Sequence, residues 1–130
     1  MTGCLTVGTT LLHLALGSFT LSWTHSVEHV VWQEDWRING HMLTLEQSRL
    51  KGSGAGMEPG PDAVLKDGWW VSPGHLEVPA LMLAASGATG AGWTLCADGQ
   101  CRVIGADRAA PIKVAPCKRE AVKRTEPMPD

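Results

Sequence analysis

Between Phe19 and Leu50 the side chains alternate apolar and polar with a period of two, the signature of extended ribbons. Phe19, Leu21, Trp23, His25 and Val27 share one parity; Thr20, Ser22, Thr24 and Ser26 share the other. From Val30 the alternation resumes and runs into Asn39-Gly40, then continues from His41 to Leu50. Asn-Gly favours a two-residue hairpin turn, because its central residues take positive φ. Folding there sets Ile38 opposite His41, Trp36 opposite Leu43, Glu34 opposite Leu45 and Trp32 opposite Gln47. One face then carries Trp32, Trp36, Ile38, Leu43 and Leu45. The other carries Gln33, Asp35, Arg37, Thr44 and Glu46. A half-buried antiparallel pair requires that split.

Further short strands are expected along the chain. Leu5 and Val7 alternate with Thr6 and Gly8, and Leu12, Leu14 and Leu16 with His13 and Ala15. No Lys or Arg precedes this stretch, and Thr9, Thr10 and His13 interrupt it. Ala15-Leu16-Gly17 is the one match to a cleavage site, so two strands are preferred to a secretion signal. Lys51 to Pro61 is a glycine- and proline-rich loop. Val64-Leu65, Trp69 to Val71 and Val78 to Ala85 are strand candidates. Trp93 to Ala97 and Gln100 to Ile104 form a second hairpin around Asp98-Gly99, and Ile112 to Ala115 closes the series. Lys118 to Asp130 is charged, holds prolines and lacks apolar periodicity, as a disordered tail does. The expected fold is a single antiparallel all-β domain over residues 1–117, a β-sandwich or a squashed barrel. With 130 residues and a formal net charge of −2, the chain has room for one domain and no basic field for nucleic acid. No run is long and apolar enough for a membrane-spanning helix.

Cys4, Cys96, Cys101 and Cys117 are the chain's four cysteines. Around a two-residue Asp98-Gly99 turn, Cys96 and Cys101 become a non-hydrogen-bonded pair, close enough for a cross-strand disulfide. Cys4 and Cys117 fall on the first and last strands, where a pairing would tie the ends together. A four-cysteine zinc site lacks the paired C-x2-C spacing of zinc ribbons, so no metal and no cofactor is expected. Oxidation requires export to a periplasmic or envelope compartment; a chain truly starting at Met1 would stay cytoplasmic.

Candidate ligand residues come from three places. His25 and Glu34 face the apolar side of neighbouring strands, whereas Ser26, Glu28 and Asp35 point away, which makes a serine–histidine catalytic pair awkward. Glu34 amid Trp23, Trp32 and Trp36 must find His25 or another buried donor. Gly52, Ser53, Gly54 and Gly56 offer main-chain amides to an anion, although no helix can follow as a dinucleotide fingerprint demands. Trp69-Trp70 sets one indole on each face of its strand; Trp70 is taken as the ligand candidate.

The elements Phe19-Thr-Leu-Ser-Trp-Thr-His-Ser-Val-Glu28, Trp32-Gln-Glu-Asp-Trp36, Gly52-Ser-Gly-Ala-Gly-Met57, Gly68-Trp-Trp70 and Leu95-Cys96 with Cys101 resemble a bacterial domain family of unknown function. Members are often encoded beside TAXI-type tripartite (TRAP) transporters. The resemblance implies a non-enzymatic accessory or binding module for carboxylate uptake, whose partner is a transporter component or a small carboxylate solute. The alternatives are a small enzyme using His25 with Glu34 or Glu28, and a redox-responsive structural protein governed by Cys96 and Cys101.

Overall fold

Turn chemistry sets the strand boundaries. Asp67-Gly68 and Asp98-Gly99 both have positive φ at each residue, as tight hairpins of the Asp-Gly kind require. The computed structural model describes residues 3–24, 30–51, 62–85, 92–107 and 109–117. Among these, the chain forms strands and no helix. The strands are β1 (Gly3–Val7), β2 (Thr10–Leu14), β3 (Ser18–Thr24), β4 (Val31–Asn39), β5 (Met42–Lys51), β6 (Val64–Lys66), β7 (Trp69–Pro73), β8 (Glu77–Val78), β9 (Leu81–Ala85), β10 (Trp93–Ala97), β11 (Gln100–Ile104) and β12 (Ala109–Pro116). The expected tail lies outside the described residues.

Two antiparallel sheets result. One runs β2-β1-β12-β9; the other runs β11-β10-β3-β4-β5-β7-β6, with β8 added beside β5. Both sheets keep open edges, so of the two expected architectures the sandwich is the one formed. Their inner faces bury Leu5, Leu14 and Val114 from the smaller sheet against Phe19, Leu21, Trp36, Leu43 and Leu95 from the larger. Each such side chain contributes about 1.5–3 kcal/mol by leaving water.

The central hairpin turns one residue later than Asn39-Gly40 predicts. Asn39 pairs with Met42, leaving Gly40-His41 as the two-residue turn. Gly40 has φ of +65° and His41 does not join it in the left-handed region, so the glycine takes the first central position. The expected partners therefore shift: Ile38 faces Leu43 and Trp36 faces Leu45. A bulge follows between Leu45 and Gln47, opposite the Asp35–Trp36 step, after which Glu34 faces Ser48 and Trp32 faces Leu50. The later turn leaves the inner parity unchanged, since it moves each partner by two; the inserted Glu46 then switches the inner side of β5 from odd to even residues. Trp32, Trp36, Leu43, Leu45 and Leu50 thus share the inner side, while Gln47 and Arg49 move outward with Asp35.

Two smaller departures have local causes. The expected strand from Val78 to Ala85 divides into β8 and β9 at Pro79, which has no N–H to donate to a ladder. Leu16 leaves the alternation for the turn before β3 and is 68% exposed.

Candidate functional site

The outer face of the larger sheet carries a transverse row of polar residues. Strand pairing places Cys101 beside Cys96, Cys96 beside Thr20, Thr20 beside Asp35 and Asp35 beside Gln47. Asp35 is the centre of this row. It accepts hydrogen bonds from Thr20 Oγ1 at 2.8 Å, Gln47 Nε2 at 2.9 Å, and both terminal guanidinium nitrogens of Arg49 at 2.5 and 3.1 Å. Arg49 Nε donates to Gln33 Oε1 at 2.9 Å, which fixes the guanidinium plane. Burial pushes the Asp35 carboxyl up, but the bonds from Arg49, Thr20 and Gln47, with the Arg49 charge, outweigh it and hold the group below its ordinary value.

A cleft of about 450 Å3 opens over this row. Thr20, Asp35, Glu46 and Cys96 line it, and Leu16 and Asp98 stand at its rim. Asp98 Oδ2 accepts the Ala15 N–H at 2.8 Å, so the β2–β3 turn is clasped to the β10–β11 turn. Glu46 is paired with Arg37. Asp35, Glu46 and Asp98, the carboxylates around the cleft among the described residues, are thus already engaged. Thr20 donates its hydroxyl to Asp35, and because Arg49 pairs with that carboxylate and holds it below its ordinary value, Asp35 is a weak base for activating the hydroxyl.

Both cysteine pairs form disulfides, Cys4–Cys117 with Cα atoms 5.3 Å apart and Cys96–Cys101 with Cα atoms 4.0 Å apart. The described residues contain no free cysteine. Intramolecular disulfides point to an oxidising compartment. No helix among the described residues is long and apolar enough to cross a membrane. Nor do they hold any cluster of three or more His, Cys, Asp or Glu side chains suited to a metal ion.

On the inner face, Glu34 takes the Trp36 indole N–H at 3.0 Å, so an indole is the donor that it finds. Burial raises its carboxyl above the ordinary value, and the Trp36 bond only partly opposes this. Trp23 stacks on Trp32, with centroids 5.9 Å apart and planes 10° from parallel, and leans on Trp93 at 4.8 Å. Trp93 Nε1 donates to Ala84 O at 3.0 Å. Trp32 Nε1 is buried and has no acceptor among the described residues.

The other candidates are not brought into one place. His25, Ser26 and Glu28, with Gly52, Ser53, Gly54 and Gly56, lie outside the described residues. Trp70 pairs with Leu50 and so turns toward the inner side, half-buried. The outward indole is Trp69, with Lys51 Nζ 5.3 Å from its ring centroid. The alternation of β4 puts Asp35 outside but does not reveal its union with Arg49 and Gln47. The available signal was the spacing of Leu43, Leu45 and Leu50, which cannot share one face of a strand without an extra residue.

No curated protein and no solved structure matches this chain. Residues 19–104, from the start of the Phe19 strand to the end of the second hairpin, match a family described as a domain of unknown function, DUF1850. The match takes in the Asp35 row, the Trp cluster and the Cys96–Cys101 hairpin, and the chain belongs to the DUF1850 family.

Proposed function

We propose that this chain is a non-enzymatic accessory or binding module associated with TRAP-type carboxylate uptake, acting in the periplasm or at the cell envelope. The observation that carries the binding reading is the cleft over Thr20, Asp35 and Cys96. Its polar groups are held in place by one another before anything arrives. A preorganised surface loses little side-chain entropy on association. With Asp35 held by Arg49 and Glu46 by Arg37, the cleft presents paired charges, and Leu16 adds an exposed apolar contact at the rim. That combination suits a protein surface such as a transporter component.

The association with uptake is drawn from the family resemblance, and the oxidising compartment from the two disulfides. The test has two arms: co-elution of the purified chain with the solute-binding and membrane components of a neighbouring TRAP system, and thermal shift against a panel of carboxylates. A ligand that binds only the native state raises its apparent stability. Co-elution abolished by Leu16→Asp, or a saturable shift with a carboxylate, supports the module. A chain that does neither is not one.

Cys96, one end of the Cys96–Cys101 disulfide, lines the cleft, which favours a second reading as a redox-responsive protein. Its reduction would loosen the strand that walls the cleft. Under that reading, co-elution is lost in mild reductant while the fold persists; unchanged co-elution removes it.

A further inference from the structure

The side of the sandwich where β2 and β11 lie has a second hollow, of about 70 Å3. Among the described residues, each of these strands is the free edge of its sheet. Leu14 and Leu95, both buried, form its floor with Ala97. Arg102, Gln100 and His13 stand around it. Arg102 pairs in register with Leu95 and Gln100 with Ala97, so both project from the inner-facing side of an exposed edge strand. Arg102 makes no ion pair and no side-chain hydrogen bond among the described residues, unlike Arg37 and Arg49.

The main chain adds a donor. Cys117 N–H donates to Cys4 O at 3.0 Å, so the main-chain groups of Cys4 face β12. His13 is the partner of Cys4 across the β1–β2 ladder. In an antiparallel pair such a position is non-hydrogen-bonded, and the N–H of His13 points out of the free edge. A guanidinium, a side-chain amide and a main-chain N–H therefore surround a small apolar floor. Guanidinium forks match carboxylate geometry.

We propose that this hollow binds a small monocarboxylate, its two oxygens on Arg102, Gln100 and the His13 N–H, and its short alkyl chain on Leu14, Leu95 and Ala97. Asp98, also at the rim, repels any anion; Arg102 offsets this for one carboxylate, while a second would meet it without a cation, which selects against dicarboxylates. The apolar floor selects against phosphate. The proposal deepens the solute-binding half of the function above and rests on that reading.

The probe is propionate, titrated into the 15N-labelled full chain. Saturable shifts of the His13 main-chain amide and the Gln100 side-chain amide are expected, with weaker binding of succinate and phosphate. Arg102→Ala should weaken propionate by about tenfold or more, because a hydrogen-bonded charge is lost, and Arg102→Lys by less. Arg102 is exposed, so an unchanged melting temperature separates loss of the site from loss of the fold. Equal affinity in Arg102→Ala overturns this site and leaves carboxylate binding elsewhere intact. The absence of any saturable shift overturns the ligand assignment, while co-elution with transporter components still decides the broader function.

Discussion

Arg49 grips Asp35 diagonally across the β4–β5 pair, with Nη1 2.5 Å from Oδ2 and Nη2 3.1 Å from Oδ1, just beyond the bulge at Glu46. The bulge makes this possible, because it turns Arg49 to the outer side. Both side chains are about a quarter exposed, so solvent weakens the pair. Asp35→Ala also strands Thr20, Gln47 and Arg49 without their acceptor. The expected loss is about 1–3 kcal/mol, read by denaturant melts. In a double-mutant cycle, Arg49→Ala should cost clearly less in the Asp35→Ala background than alone. Additive losses would show that the pair is not coupled.

Neighbouring carboxylates on opposite faces of β4 give opposite pH dependences. Asp35 is held below its ordinary value, so the folded state binds its proton less tightly than the unfolded chain does. Its contribution is complete above the ordinary aspartate range and fades as pH falls through the depressed value. Glu34 is raised by burial, so the folded state binds its proton more tightly. Its protonated form favours the fold, and stability falls as pH rises from the ordinary glutamate range through the raised value. Melting temperatures across acid to neutral pH check both signs. Asp35→Asn should flatten the acid limb, and Glu34→Gln should stabilise at neutral pH while changing little in acid.

The larger sheet was legible because Phe19, Leu21, Trp36 and Leu95 follow the period of two without interruption, and burial on one side enforces it. The cysteine hairpin was legible for a different reason: Asp98-Gly99 fixes the register, so the Cys96–Cys101 pairing follows from counting. The central hairpin was harder. Asn39-Gly40 is a strong turn signal, but the turn forms at Gly40-His41, with the glycine supplying the one positive φ, and both registers keep Ile38 and Leu43 on the inner face, so alternation could not choose between them. Inner-face burial of Leu50 together with Leu43 and Leu45 requires a bulge. Arg49 and Gln47 could therefore not be assigned to the outer row without that non-local constraint. The hollow under Arg102 depends on how two separate sheet edges meet, and no local pattern encodes that.

Gly74 marks another such meeting. Its N–H donates to Glu46 O at 2.9 Å, which binds the β7–β8 connection to the bulge. A Cβ at this position would overlap the carbonyl and side chain of Leu45. Gly74→Ala should therefore cost about 3 kcal/mol, at the upper end of overpacking effects. Gly40→Ala is the contrast: nothing lies within 4 Å of an added Cβ, and only the φ of +65° opposes it. That variant should lose about 1–2 kcal/mol. Chemical denaturation of both reads the difference, and equal losses would mean that the close approach at Leu45 is relieved by movement of the connection.

The two disulfides should differ in what they contribute to stability. Cys4–Cys117 spans 113 residues of sequence and joins the start of β1 to the residue after β12. Cys96–Cys101 spans 5 and bridges strands that the Asp98-Gly99 turn already holds together. In the chain-entropy account, opening the long loop costs about 4–5 kcal/mol and opening the short one about 2 kcal/mol. The long link also closes the end of the β1–β12 pairing, where Cys117 N–H bonds Cys4 O. Replacing Cys4 and Cys117 together by serine should therefore lower the melting temperature more than replacing Cys96 and Cys101 together. The hairpin variant should retain the fold and test the redox reading without reductant. A hairpin variant that melts at least as low as the terminal one would place the main covalent support of the sandwich at the cleft instead of at the chain ends.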